Sequence, residues 1–151
     1  MADILTNHKA RRDYHVLETF EAGIALRGTE VKSVRAGNGQ ISDAFARVEN
    51  NEVWLYDAHI DAYSHGNVHN HQPKARRKLL LHKSEIHKLF GLASIKGHVL
   101  VPLSFYWKNG KVKVALAVGK GKIHYDKRQD LKKRDAEREL KRATMQRLKG
   151  H

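Results

Sequence analysis

Eleven histidines are spread over this 151-residue chain, and His65, His69 and His71 cluster in HGNVHNH. Imidazole is a common metal ligand and suits general acid–base work near neutral pH. The cluster has no Cys and no obvious carboxylate partner, whereas a structural zinc site usually draws on four ligands. These residues read as polar loop histidines, with no metal. A phosphodiester-cleaving enzyme would pair His with Lys, but eleven histidines make chance pairings easy. No paired-carboxylate, P-loop or nucleophile-elbow pattern accompanies them. The expectation is a protein that is not an enzyme and takes no cofactor.

Charge points elsewhere. The formal net charge is +13, an excess that attracts polyanions, nucleic acid first among them. In RRKLLLHK, Arg76, Arg77 and Lys78 precede an apolar run, so a basic rim is expected above a buried strand face. With Lys111 and Lys113 it would track a phosphate backbone. Glu30 stands among basic residues and invites two readings. It is either an ion-pair partner of Arg27, Lys32 or Lys113, or a contact to a base edge or 2′-OH.

The elements that must position these side chains read mainly as strands. In HVLVPLSFYWKNGKVKVALAVGKG, Val99, Val101, Leu103, Phe105 and Trp107 alternate as one apolar face. Asn109-Gly110 marks a tight turn, and Val112, Val114, Leu116 and Val118 alternate after it, with Lys111 and Lys113 on the other face. Pro102 lacks an N–H and predicts an edge or a bulge. A second hairpin turns at Asn50-Asn51, between Ala46 and Val48 on one side and Val53 and Leu55 on the other. YHVLETF, GIALRG and RRKLLLH supply further strands, and most aromatics fall at positions consistent with a core.

TEVKSVRAG predicts a short helix with Thr29 as N-cap and Gly37 as its stop. SEIHKLFGLASIKG predicts another, capped by Ser84, with Ile86, Leu89 and Phe90 inward. DAYSHGNVHNHQPKARRK reads as an exposed loop. Many short strands with two or three small helices predict an OB-fold-like antiparallel β-barrel over residues 1–118.

Residues 119–151 differ in kind. Asp126 to His151 holds ten Lys/Arg against five Asp/Glu and no aromatic residue. Such a segment buries too little to order itself and reads as a flexible basic tail, with Gly119 and Gly121 as the joint. Glu137 with Lys141 and Asp130 with Arg134 are favourable i,i+4 pairs, so helix is available once a polyanion screens the charge. The absence of cysteine excludes a disulfide framework and is compatible with the cytoplasm. No stretch is long and apolar enough to span a bilayer, so no membrane partner is expected.

The strings FEAGIALRGTEVKSVRAG, RRKLLLHKSEIHKLFG and GKGKIHYDKRQDLKKRD closely resemble the SmpB (small protein B) family of bacterial SsrA-binding proteins. The resemblance runs from HKARRDY to about Arg138. It implies an OB-like barrel that binds the tRNA-like domain of transfer-messenger RNA (tmRNA) and brings alanyl-tmRNA, with EF-Tu, to stalled ribosomes. The nascent chain is then tagged for degradation and the ribosome released, with no chemistry of the family's own in this process; a monomer acting in the cytoplasm is expected. Carried over by position, the tmRNA-binding face would hold Glu30 on a surface helix, Leu80, His82 and Lys113, and the basic rim of Arg76 and Arg77 is expected to join it. The tail would meet the small subunit and its ribosomal RNA, becoming helical in the decoding centre and empty mRNA channel. Gly119, Tyr125, Asp126, Lys127, Arg128, Lys132, Lys133 and Arg134 would lie there. A general RNA-binding OB module and an RNA-cleaving enzyme are the alternatives.

Overall fold

The protein is described by a computed structural model covering residues 3–63 and 70–121. Its elements are β1 (Asp3–Thr6), α1 (His8–Asp13), β2 (Tyr14–Ile24), α2 (Gly28–Arg35), β3 (Gly39–Gln40), β4 (Phe45–Glu49), β5 (Glu52–Tyr56), β6 (His59–Ile60), β7 (Arg77–Leu80), α3 (Lys83–Ala93), β8 (His98–Lys108) and β9 (Lys111–Gly121). The strand order β8-β4-β5-β7-β2-β9 closes because β9 also pairs with β8, and every pairing is antiparallel. Closure leaves each strand of this six-membered ring with a neighbour on both sides, which limits unwanted edge pairing. β1 pairs with the upper part of β8, from Ser104 to Tyr106, while β4 meets β8 lower down at Leu100. The mainly β, OB-like expectation holds.

Local chemistry explains the hairpins. Asn109 and Gly110 have φ of 52° and 74°, and Asn50 and Asn51 have 50° and 61°. Two consecutive positive φ values make the turn whose twist matches the strands it joins, and Asn and Gly tolerate that region best. Both hairpins therefore form where their turn residues predict, with Val48 opposite Val53.

β8 corrects one expectation. Its apolar residues alternate in sequence from Val99 to Trp107, but a bulge lies between Pro102 and Ser104. Leu103 is the extra residue, and it moves the inward set by one position. Leu100 and Phe105 thus enter the main core with Val114, Leu116 and Val118, whereas Val101 and Leu103 pack with Ala10 and Ala117 in a second cluster under α1.

β2 is one eleven-residue strand rather than two, because Ala22 and Gly23 keep pairing with Val114 and Lys113. α2 begins at Gly28 with Arg27, not Thr29, in the capping position. It ends as expected: Gly37 has φ 76°, its N–H bonds Val34 O, and Asn38 N–H bonds Ser33 O. This is the paired closure that a glycine after a helix permits. α3 starts one residue before Ser84, with His82 as its cap, and buries Leu89 while Phe90 stays 59% exposed. Finally, β9 continues past the expected boundary at 118: Gly119 opposes Val16 and Gly121 opposes Tyr14. These two glycines are paired strand residues, not a joint. Tyr125, Asp126, Lys127, Arg128, Lys132, Lys133 and Arg134 lie outside the described residues.

Candidate nucleic-acid interface

β7 is the strand from which most of the expected site projects, and its alternation sorts those residues. Arg77 and Leu79 point inward, Lys78 and Leu80 outward. Arg77 is only 3% exposed and cannot belong to a basic rim. Its Nε donates to Glu30 Oε2, its Nη1 to Ala58 O at 2.7 Å, and its Nη2 to Pro73 O at 3.0 Å and Gln72 O at 3.2 Å. Glu30, 5% exposed, uses its other oxygen to accept Arg27 N–H at 2.8 Å. The carboxylate thus caps α2 and neutralises a buried guanidinium. The expectation of Glu30 on a surface helix is overturned, and its ion-pair partner is Arg77 rather than Arg27, Lys32 or Lys113.

His71 is buried, 6% exposed, instead of standing in an exposed loop. Its Nε2 lies 2.9 Å from Ile60 O and its Nδ1 2.9 Å from Thr29 Oγ1. A carbonyl only accepts, so Nε2 carries the proton towards Ile60, and the threonine hydroxyl can donate to Nδ1. Both ring nitrogens are occupied within the protein. His65 and His69 lie outside the described residues.

The outward residues do converge. Leu80 on β7 and Lys113 on β9 both lie opposite Gly23 of β2, and Lys113 lies opposite Tyr106 of β8. Cross-strand partners share a face, so Leu80, Gly23, Lys113 and Tyr106 form one row across four strands. Leu80 is 50% exposed. Gly23 places no side chain between its neighbours, and a Cβ there would sit 3.3 Å from Leu80 Cβ. At the far end Tyr106 Oη donates to Glu21 at 2.6 Å and Lys108 Nζ to the same carboxylate at 3.1 Å. The tyrosine hydrogen bond, then Lys108, lowers the Glu21 pKa below the usual carboxylate value. Burial, with the same bond to Glu21, raises that of Tyr106. His82 is exposed at the start of α3, two residues beyond Leu80.

Arg76 and Lys78 are exposed or half-buried, but each has an anionic neighbour: Arg76 lies 3.8 Å from Glu49 and Lys78 2.7 Å from Glu52. The basic rim is therefore partly neutralised. The reading of the aromatics as core also fails. Among the ten aromatic residues described, only Phe20 and Phe105 are buried. The outer face of β4 and β5 carries Phe45, Arg47, Trp54 and Tyr56, with Phe45 opposite Tyr56 and Arg47 opposite Trp54. A period-two reading of EVWLY would have found them, because Val53 and Leu55 turned inward leave Trp54 and Tyr56 turned out.

A closed antiparallel barrel with rings and cations side by side on its outer wall has the architecture of the barrels that hold nucleic acid on a strand face. The chain belongs to the SmpB family, whose model, described as "SmpB protein", matches residues 4–146. It is 54% identical over 148 residues to the SsrA-binding protein of Pelotomaculum thermopropionicum, covering 98% of this chain and 97% of the relative. It is 53% identical over 144 residues to the SsrA-binding protein of Bacillus subtilis, covering 95% and 92%. Among solved structures it resembles, with TM-score 0.69 and 48% identity, a chain from the work described as "tmRNA-SmpB: a journey to the center of the bacterial ribosome". That match covers 80% of this chain and 85% of the other.

Proposed function

We propose that this protein binds tmRNA, the SsrA RNA for which its relatives are named, through the tRNA-like domain. The reading rests on one structural observation, the meeting of Leu80 and Lys113 on either side of Gly23. An exposed leucine offers apolar contact to a ribose or base, the lysine neutralises a phosphate, and the glycine lets RNA approach the strand. His82 and Arg76 border the same strand, whereas Glu30 and Arg77 act from beneath it by holding β7 against α2.

With alanyl-tmRNA and EF-Tu, a single copy is delivered in the cytoplasm to a ribosome stalled on a truncated message. The basic segment after Gly121 enters the decoding centre and the empty mRNA channel, where RNA phosphates neutralise its charge and favour helix. Tyr125, Asp126, Lys127 and Arg128 act at the entrance, and Lys132, Lys133 and Arg134 further along. The protein completes a tRNA mimic and performs no bond-making step.

Equilibrium binding to labelled tmRNA and to an unrelated structured RNA at one salt concentration tests the first half. Selective binding with the RNA left intact supports it; equal binding points to a general RNA-binding module, and cleavage to an enzyme. Peptide tagging in a reconstituted translation system, on a message lacking a stop codon, tests the second. Tyr125→Ala should impair tagging more than Lys132→Ala, since stacking is worth about 1–3 kcal/mol per base while the electrostatic contribution is shared among many cations.

A further inference from the structure

The outer face of the β4–β5 hairpin gathers three aromatic rings and, with Arg76 beside it, two guanidinium groups. Phe45 and Tyr56 stack with ring centroids 5.5 Å apart and planes 16° from parallel. Arg47 lies over both rings, at 5.3 and 5.8 Å. Arg76 covers Trp54 at 4.2 Å. Arg47 is exposed and makes no ion pair among the described residues. Phe45, Arg47, Trp54 and Tyr56 all project from the outer side of this strand pair, and none of them is fully buried.

We propose that Arg47, Trp54, Tyr56 and Arg76 form a second RNA-binding surface, a platform on which unpaired bases stack. Planar guanidinium and aromatic groups accept any base on their faces, and an unpaired arginine neutralises the phosphate between two stacked bases. The occupant is RNA rather than a protein segment because the patch is arginine-rich and the whole chain carries +13. The surface is continuous with the row already described. Lys78 of β7 lies directly opposite Trp54, and Leu80 is the next outward residue of that strand. One RNA can therefore cross from Lys113 over Leu80 and Lys78 to the platform. The proposal rests on the RNA-binding reading but shares only Arg76 with it and uses a different chemistry.

Trp54 and Trp107 are the two tryptophans, so a Trp107→Phe chain reports on Trp54 alone. Titrating it with a single-stranded ten-nucleotide adenylate RNA should quench Trp54 emission saturably. In the natural background Trp54→Leu should lower affinity for this RNA about five- to hundredfold without altering the salt slope, because stacking releases no counterion. Arg47→Ala should weaken binding and flatten the slope. Trp54 emission that stays unchanged while the protein is saturated with RNA would overturn the platform, even if Trp54→Leu fails to fold. Lys113→Ala on tmRNA separates the two readings. A loss there with no effect of Trp54→Leu or Arg47→Ala removes the platform alone. A platform effect without a Lys113 effect removes the Leu80–Lys113 row alone.

Discussion

Glu30 and Arg77, 47 residues apart in the chain, form an ion pair whose two side chains are almost wholly withdrawn from solvent. Removing one partner leaves the other charge buried without compensation. Glu30→Ala should therefore destabilise the barrel by about 3–5 kcal/mol. Arg77→Ala should also destabilise, and the double variant should lose much less than the sum of the two. Urea denaturation of all four proteins checks this, and additive losses would show that the two groups do not depend on each other.

Arg77→Ala should leave the salt dependence of RNA binding unchanged when measured where the variant is folded, because the guanidinium reaches no phosphate. Lys113→Ala should weaken tmRNA binding and lower the magnitude of the log–log salt slope by roughly 0.7–0.9 for one lost phosphate contact. Affinities at four or five salt concentrations give both slopes. Equal slopes for parent and Lys113→Ala would place that lysine away from the RNA.

Tyr106→Phe removes the hydroxyl that donates to Glu21, and the Glu21 carboxyl should then titrate closer to the usual carboxylate value. The native pKa is depressed, so this contact adds stability above the unfolded carboxylate pKa and loses it as pH falls through the folded one. Glu21 is exposed and the effect on stability is small. Carboxyl NMR titration reads the shift directly, and an unmoved Glu21 would show that Lys108 alone sets it.

Truncation after Gly121 should keep both fold and tmRNA affinity while abolishing tagging. Truncation after Val118 should cost stability as well, since it removes the pairing of β9 with Tyr14, His15 and Val16. Thermal melts of the two chains, beside the tagging assay, distinguish a tail that acts on the ribosome from one that holds the barrel together. Full tagging by the chain ending at Gly121 would sink the proposed role of the tail.

What the sequence determined by itself was local. Two-residue turns are dictated by the few residues that accept positive φ, and side-chain alternation is a property of the strand alone. Hence both hairpins, the glycine stop of α2 and the outward course of Lys111 and Lys113 were legible from the chain. The family motifs were equally readable, because they are strings. Which charges are solvated follows from long-range packing instead. Arg76, Arg77 and Lys78 look alike in RRKLLLHK, yet one is buried on Glu30 and the others meet Glu49 and Glu52, which are far from them in sequence. The bulge at Leu103 divided an apparently continuous apolar face between two clusters, and closure of β9 onto β8 and β2 made Gly119 and Gly121 part of the barrel. Burial and pairing depend on contacts between residues far apart in sequence, and short-range periodicity carries no information about those.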